Sequence, residues 1–72
     1  MSIPRMHPVE SSAVAMIGYD AEAEEAYVEY LGGGLYAYEG VPAGVFEELA
    51  NADSKGTFVN AVIKQYPFRS QR

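Results

Sequence analysis

The 72-residue sequence has no cysteine, no tryptophan and one histidine, and its five basic residues face ten acidic ones. Without cysteine, disulfide bridges and thiolate metal sites are excluded. The longest apolar run, residues 13–19, is too short to span a bilayer, and the N-terminus lacks the hydrophobic core of a signal peptide. These absences predict a small, soluble, cytoplasmic domain with no membrane partner.

A chain of this length is expected to have only a small hydrophobic core. Folding buries about 60% of the surface that such an unfolded chain exposes, so stability is marginal unless another interaction contributes. With neither a disulfide nor a metal available, self-association is the expected source of additional buried surface. We therefore predict a homo-oligomer.

No group of residues in the sequence defines a catalytic site or a metal site. The glutamates within residues 22–25 lie in a polar connection, whereas a hard cation needs several oxygens that converge on a rigid loop. His7 stands alone beside Pro8, and Ser11 and Ser12 have no neighbouring base that would make them nucleophiles. We predict a non-enzymatic protein with no metal and no cofactor.

Charge is divided unevenly along the chain. Residues 1–53 carry a net charge of −9, whereas residues 54–72 carry +4 and also contain Phe58, Tyr66 and Phe68. Basic residues among aromatic ones favour phosphates and stacked bases, while the acidic remainder repels a long polyanion. A small or local anionic ligand is therefore favoured over extended duplex DNA. Alternatively, the basic segment only neutralises the acidic body of its own chain or of a second copy.

Hydrophobic periodicity predicts three strands followed by two helices. Residues 1–9 are expected to form a flexible arm, and residues 10–72 a single domain. The predicted strands are residues 11–20, Ala26–Tyr30 and Leu35–Glu39, and the predicted helices run from about Pro42 to Ala50 and from Lys55 to Tyr66. The expected fold class is α+β, a small three-stranded antiparallel sheet with two helices on one face, in the order β-β-β-α-α.

Alternation within the strands predicts which side chains face the core. In the first strand, Val14 and Met16 are expected on the face opposite Ile17. Glu29 marks the solvent face of the second strand and places Tyr27 on that side. The predicted inner face of the second and third strands consists of Ala26, Val28, Tyr30, Tyr36 and Tyr38. Because tyrosine hydroxyls need polar partners, we expect this face to border a second subunit or a ligand pocket.

Two segments offer backbone N–H groups that an anion needs. Gly32–Gly34 is predicted to be a hairpin turn, since a phosphate-binding loop requires a helix to follow and a strand follows here. Residues 53–56 precede a helix and combine a capping hydroxyl, a lysine and a glycine, although a plain capped helix start is the alternative. The candidate ligand-binding residues are Ser54, Lys55, Asn60, Lys64 and Arg69, with Tyr36, Tyr38 or Tyr66 as a stacking wall.

Several short motifs occur in an order that resembles a known family. They are Ser11-Ser12 before Ile17-Gly18-Tyr19-Asp20, then Tyr36-Ala37-Tyr38, Gly40-Val41-Pro42, Ser54-Lys55-Gly56 with Phe58 and Asn60, and Tyr66-Pro67. From Val9 to Arg69 the sequence resembles the KTSC domain, a short bacterial and phage family named for its occurrence at the C-terminus of some lysyl-tRNA synthetases. The resemblance implies a small β-rich sheet with C-terminal helices and no catalytic activity. RNA binding has been suggested for such domains from their synthetase context.

Two hypotheses for function follow from these features. The first is a non-enzymatic, self-associating module that binds a nucleotide-like or phosphate-bearing ligand, either short RNA or a small signalling nucleotide. If a phage carries the protein, a homo-oligomer that sequesters such a nucleotide fits the same features. The alternative is a protein–protein interaction module, or a homo-oligomeric structural domain, without a small-molecule site; the tyrosine-rich sheet supports it because aromatic residues are enriched in interfaces.

Overall fold

Residues 3–71 are described by the structure, a computed structural model, and they form five strands, two α-helices and one 3-10 turn. The strands are β1 (Met6–Pro8), β2 (Val14–Asp20), β3 (Glu25–Tyr30), β4 (Leu35–Glu39) and β5 (Phe68–Ser70). The helices are α1 (Ala43–Asn51) and α2 (Lys55–Ala61), and the 3-10 turn covers Ile63–Gln65. Within this part of the chain, neither helix has the length and apolar character needed to cross a membrane.

The five strands form one antiparallel sheet in which each strand pairs with the next one along the chain. The two helices and the 3-10 turn lie in the connection between β4 and β5. They pack on one face of the sheet, so the molecule has one sheet layer and one helix layer. The α+β class and the two helices after the predicted strands are confirmed.

The prediction of three strands is wrong, because the sheet has five. The additional strands, β1 and β5, contain three residues each and form the two edges of the sheet. Segments this short do not show a two-residue alternation, and Pro8 and Pro67 suggested breaks although proline is tolerated at edges and strand ends. Met1 and Ser2 of the predicted arm, and Arg72 of the basic segment, lie outside the described residues.

A bulge in β2 changes which side chains share its inner face. Val14 pairs with Tyr30 while Met16 pairs with Glu29, so the register shifts between them. As a result Val14 is buried in the same core as Ile17, and Met16 lies on the face of Glu29. The prediction that Val14 and Met16 share a face is therefore wrong, because one extra residue in the strand reverses the alternation.

The main core lies between the inner face of the sheet and the helices. Its buried residues are Val14, Ile17, Ala26, Val28, Tyr38, Val41, Leu49, Val59 and Ile63. Tyr30 and Tyr36 are partly buried against this core, which confirms the predicted inner face of β3 and β4. Tyr19 anchors the entry to α1, since its hydroxyl donates to the Val41 carbonyl oxygen at 2.6 Å and its ring stacks on Phe46.

The helix bounds differ from the predicted ones mainly at the end of α2. α1 begins at Ala43, one residue after the predicted start, because Pro42 is the N-cap. α2 ends at Ala61, and the chain then tightens into the 3-10 turn instead of continuing as an α-helix to Tyr66. Ile63 stays fully buried through this change, so the apolar periodicity gives no sign of it.

The face of the sheet opposite the helices holds a second, smaller cluster. Tyr27 and Leu35 are each 3% exposed and Ala37 is fully buried, with Met6 of β1 packed against them. Tyr27 lies on the side of Glu29, as predicted, but it is buried and does not face solvent. The edge strand β1 therefore helps to cover the face of the sheet opposite the helices.

At Gly18 the N-terminal segment lies tightly against strand β2. A Cβ there would lie 2.6 Å from Met6 Sδ and 2.7 Å from the Arg5 carbonyl oxygen. We expect Gly18→Ala to lower the free energy of unfolding by about 1–3 kcal/mol, since backbone would have to move.

Gly44→Ala in α1 is the matched control, because a Cβ at Gly44 would meet no atom within 4 Å. This variant should be neutral or more stable by up to about 1 kcal/mol, since alanine favours a helix. Urea titration of both variants measures the difference, and equal effects would contradict the close contact at Gly18.

Candidate ligand-binding cleft

A cleft opens on the helix-bearing face of the sheet, at the end where β3 turns into β4. Its volume is about 460 Å³, within the range of about 300–1,000 Å³ typical of small-molecule pockets. The residues that line it are Tyr30, Gly33, Tyr36, Tyr38, Lys64 and Phe68. We call these six residues the tyrosine cleft.

Strand alternation and register bring the aromatic residues of the cleft together. Tyr36 and Tyr38 are two residues apart on β4, so they share a face. Phe68 of β5 pairs with Tyr38, and Tyr30 ends β3 on the same inner face. The 3-10 turn then places Lys64 at the edge of this aromatic surface.

Glycines in the β3–β4 turn leave room for the cleft wall. The Gly33 N–H donates to the Tyr30 carbonyl oxygen at 3.0 Å, and Gly33 and Gly34 have φ angles of 101° and 93°. Residues with a side chain rarely adopt such φ angles, so glycine is favoured at both positions. A Cβ at Gly34 would also lie 3.0 Å from Cε1 of Tyr36. The hairpin predicted at Gly32–Gly34 is confirmed, and its turn borders the cleft.

Tyr36 lies at the centre of the aromatic wall. Its ring meets Tyr30 edge-on at 5.7 Å between centroids, and it lies 5.4 Å from Phe68 and 6.5 Å from Tyr38. Phe68 is 57% exposed, so part of this wall is open to solvent. Accessible aromatic rings in such an arrangement are a surface on which a planar ring can stack.

The cleft also contains hydroxyl groups and a cation. The Tyr30 and Tyr38 hydroxyls are 2.7 Å apart, and burial together with this hydrogen bond raises the pKa of Tyr30. A tyrosine hydroxyl carries one hydrogen, so whichever of the two accepts the shared bond keeps its own hydrogen for donation. The Lys64 ammonium lies over the Tyr30 ring, 5.7 Å from its centroid. The cleft thus offers aromatic faces, a hydrogen-bond donor and one positive charge.

The structure brings three of the predicted site residues together and separates the others. Tyr36, Tyr38 and Lys64 line the cleft. Tyr66 packs against the main core, and Asn60 is exposed on α2 away from the cleft lining.

The Ser54 and Lys55 side chains at the start of α2 form hydrogen bonds within the chain. The Ser54 hydroxyl oxygen accepts a bond from the Thr57 N–H at 3.3 Å, as an N-cap does. Lys55 is partly buried, and its ammonium donates to the Ala52 carbonyl oxygen at 2.7 Å. Ala52 is the C-cap of α1, where a cation is favourable because the helix dipole ends there. Ser54 therefore caps α2, Lys55 links the start of α2 to the end of α1, and neither residue lines the cleft.

Arg69 lies on the opposite face of the sheet, since it pairs with Ala37 in the register of β4 and β5. Its guanidinium donates to both carboxylate oxygens of Glu25, at 2.7 and 3.0 Å, and to Glu39 at 2.8 Å. The hydrogen bonds from Arg69 hold the pKa of Glu25 below its ordinary value. Arg69 therefore connects β3, β4 and β5, and its charge is neutralised away from the cleft.

Sequence reasoning missed three residues of the cleft, Tyr30, Gly33 and Phe68. Tyr30 lies on the predicted inner face with Tyr36 and Tyr38, so the alternation of residues along β3 contains the signal for it. Phe68 belongs to the basic aromatic segment, but its position beside Tyr38 depends on β5, a strand that the sequence pattern does not predict. Gly33 lines the cleft because it belongs to the β3–β4 turn, which borders the cleft.

The protein is a small α+β module with one antiparallel sheet, a short helix layer on one face and an aromatic cleft beside that layer. The chain belongs to the KTSC domain family, whose sequence model, described as "KTSC domain", matches residues 10–68. The crystal structure of a KTSC domain protein from Yersinia pestis is similar with a TM-score of 0.88 and 35% identity, over 90% of this chain and 93% of that one.

Relatives of similar length and one much longer protein share the domain. A protein from Tsukamurella paurometabola is 44% identical over 59 residues, covering 82% of this chain and 88% of that protein. A protein from Stutzerimonas stutzeri is 41% identical over 64 residues, covering 89% and 90%. A lysine–tRNA ligase from Nostoc punctiforme is 34% identical over 64 residues, which are 89% of this chain but 11% of the ligase.

The ion pairs of Arg69 predict a specific acid sensitivity. Because the pKa of Glu25 in the folded state lies below the ordinary 4.5, its contribution to stability is present above that pH and is lost as pH falls through the folded-state pKa. We expect Glu25→Gln to be less stable than the wild type by about 1–2 kcal/mol at pH 7. The difference should shrink as the pH falls below 4.5 and through the lowered folded-state pKa of Glu25.

Thermal melts between neutral and acidic pH measure this difference. Glu48→Gln, which removes an exposed carboxylate on α1, controls for the loss of one negative charge. A Glu25→Gln effect that stayed constant at every pH would show that the ion pair is not its cause.

Proposed function

We propose that this KTSC domain is a non-enzymatic binding module that recognises a nucleotide-like, phosphate-bearing ligand in the tyrosine cleft. The observation that carries the proposal is the position of the Lys64 ammonium, 5.7 Å from the Tyr30 ring centroid at the edge of the aromatic wall. A planar base would stack on the wall, and Lys64 would meet the phosphate.

The chemistry of the wall supports a ring-shaped ligand. Stacking of one base on an aromatic side chain contributes about 1–3 kcal/mol and tolerates different bases, because each base has a π-face. Tyr36 and Phe68 supply such rings, with 5.4 Å between their centroids. Of the Tyr30 and Tyr38 hydroxyls, the one that accepts their shared hydrogen bond can donate its own hydrogen to a base or sugar oxygen.

A relative adds support from its context. Residues similar to this chain form part of a protein named lysine–tRNA ligase, and that name refers to an RNA. A module that stacks bases is consistent with such a setting and with a free-standing role in the shorter relatives.

Phe68→Ala tests the aromatic wall directly. The side chain is 57% exposed on an edge strand, so its truncation should leave the fold intact. In calorimetric titrations with AMP, GMP, UMP and a short RNA, we expect Phe68→Ala to weaken binding by about 1–2 kcal/mol through lost stacking.

Leu31→Ala is the matched control, because Leu31 is 58% exposed, equally apolar and absent from the cleft lining. Equal losses in both variants would place the ligand elsewhere, and no binding of any of these compounds would overturn the proposed function. Binding of a protein partner that persists or tightens as salt rises would favour the alternative of a protein–protein interaction module.

Self-association forms a separate part of the proposal. Ile3 and Leu31 are large apolar side chains outside the cleft lining that remain exposed within residues 3–71. Burial of such side chains between copies would add to a small core. Sedimentation velocity at protein concentrations from about 10 μM to about 1 mM should show species larger than the 7.8 kDa chain. A single 7.8 kDa species at every concentration would contradict self-association.

A further inference from the structure

We infer that the tyrosine cleft takes one nucleotide unit and contacts one phosphate group, so that its ligand class is a mononucleotide and not a polynucleotide. This inference rests on the proposed function and adds the size and charge of the ligand. It follows from the volume of the cleft, from the positions of the basic side chains and from the charge of the whole chain.

The dimensions of the cleft limit the ligand to one ring system. Its volume of about 460 Å³ lies towards the lower end of the range for small-molecule pockets. Lys64 and Tyr36 flank the same Tyr30 ring, each 5.7 Å from its centroid. A base on Tyr36 and a phosphate at Lys64 would therefore belong to the same nucleotide.

The basic side chains of residues 3–71 do not form a path along which a phosphate chain could lie. Among residues 3–71, Lys64 is the one cation that lines the cleft. Arg69 is paired with Glu25 and Glu39 on the other face of the sheet, and Lys55 is bonded to the Ala52 carbonyl oxygen. A polynucleotide needs several such cations to neutralise successive phosphates.

The charge of the remaining chain opposes additional phosphates. The net charge is −5, so each phosphate beyond the one at Lys64 adds repulsion, and the described residues of the cleft lining offer it no second cation. Affinity is therefore expected to rise on going from a nucleoside to its monophosphate and then to stop rising. A strand of several nucleotides should bind no more tightly per chain than its single unit.

The inference is tested by measuring how a series of ligands binds to the wild type and to one variant. Calorimetry measures the affinities of adenosine, AMP, ADP, ATP and a tetra-adenylate for the wild type and for Lys64→Gln. For the wild type, we expect AMP to bind about five- to tenfold more tightly than adenosine, with ADP, ATP and the tetranucleotide no tighter than AMP. In Lys64→Gln, adenosine affinity should be unchanged and the AMP-to-adenosine ratio should fall to about one.

Arg5→Gln is the matched control, since it removes an exposed cation that does not line the cleft and should keep the wild-type ratio. Circular dichroism melts establish that each variant is folded. The logarithm of tetranucleotide affinity should fall with the logarithm of salt concentration with a slope near −0.7, as for one phosphate on a single strand.

The outcomes separate the inference from the proposed function. Affinity that climbs from AMP to ATP or to the tetranucleotide, with a salt slope of several phosphates, would overturn the mononucleotide assignment while leaving nucleotide binding in place. An AMP-to-adenosine ratio that survives Lys64→Gln would also overturn it, because another group would hold the phosphate. Absence of binding across the whole series would overturn the proposed function itself.

Discussion

The hairpin of β3 and β4 has apolar side chains on both of its faces, and both faces must be covered. Within residues 3–71, the two helices and the 3-10 turn cover only one of these faces. On the inner face, Val28 and Tyr38 are covered by α1, α2 and the 3-10 turn. On the outer face, Tyr27 and Ala37 are buried with the help of Met6 from the edge strand. The short strands at the two ends of the sequence are therefore part of how the sheet is covered, and Gly18 allows β1 to come close enough.

The cleft forms because the helices and the 3-10 turn do not cover the whole inner face of the sheet. The helix layer buries the middle of the inner face but leaves the tyrosines near the β3–β4 turn only partly covered. Polar groups in such a position need partners, and the bond between the Tyr30 and Tyr38 hydroxyls supplies one without closing the cleft. A concave aromatic surface with one polar point therefore forms beyond the edge of the helix layer.

The uneven charge of the sequence has two different roles in the folded protein. Arg69 forms ion pairs with Glu25 and Glu39 of its own chain, as the structural interpretation of the basic segment predicts. Lys64 stays exposed over the Tyr30 ring, which is what the ligand-binding interpretation requires. The alternation of β5 explains the first role, because Arg69 points to the face opposite Phe68 and the cleft.

The α+β class, the strands β2 to β4, the glycine turn and the inner face that holds Tyr30, Tyr36 and Tyr38 can all be predicted from the sequence. These features depend on periodicity and turn residues within a few positions of each other. Three others become visible only in the folded chain: β1 and β5 complete the sheet, Tyr27 is buried, and Lys64 and Arg69 lie on opposite faces. Each of these depends on pairing between distant segments, as for Arg69 and Glu25, which are 44 residues apart and are brought together by strand register alone.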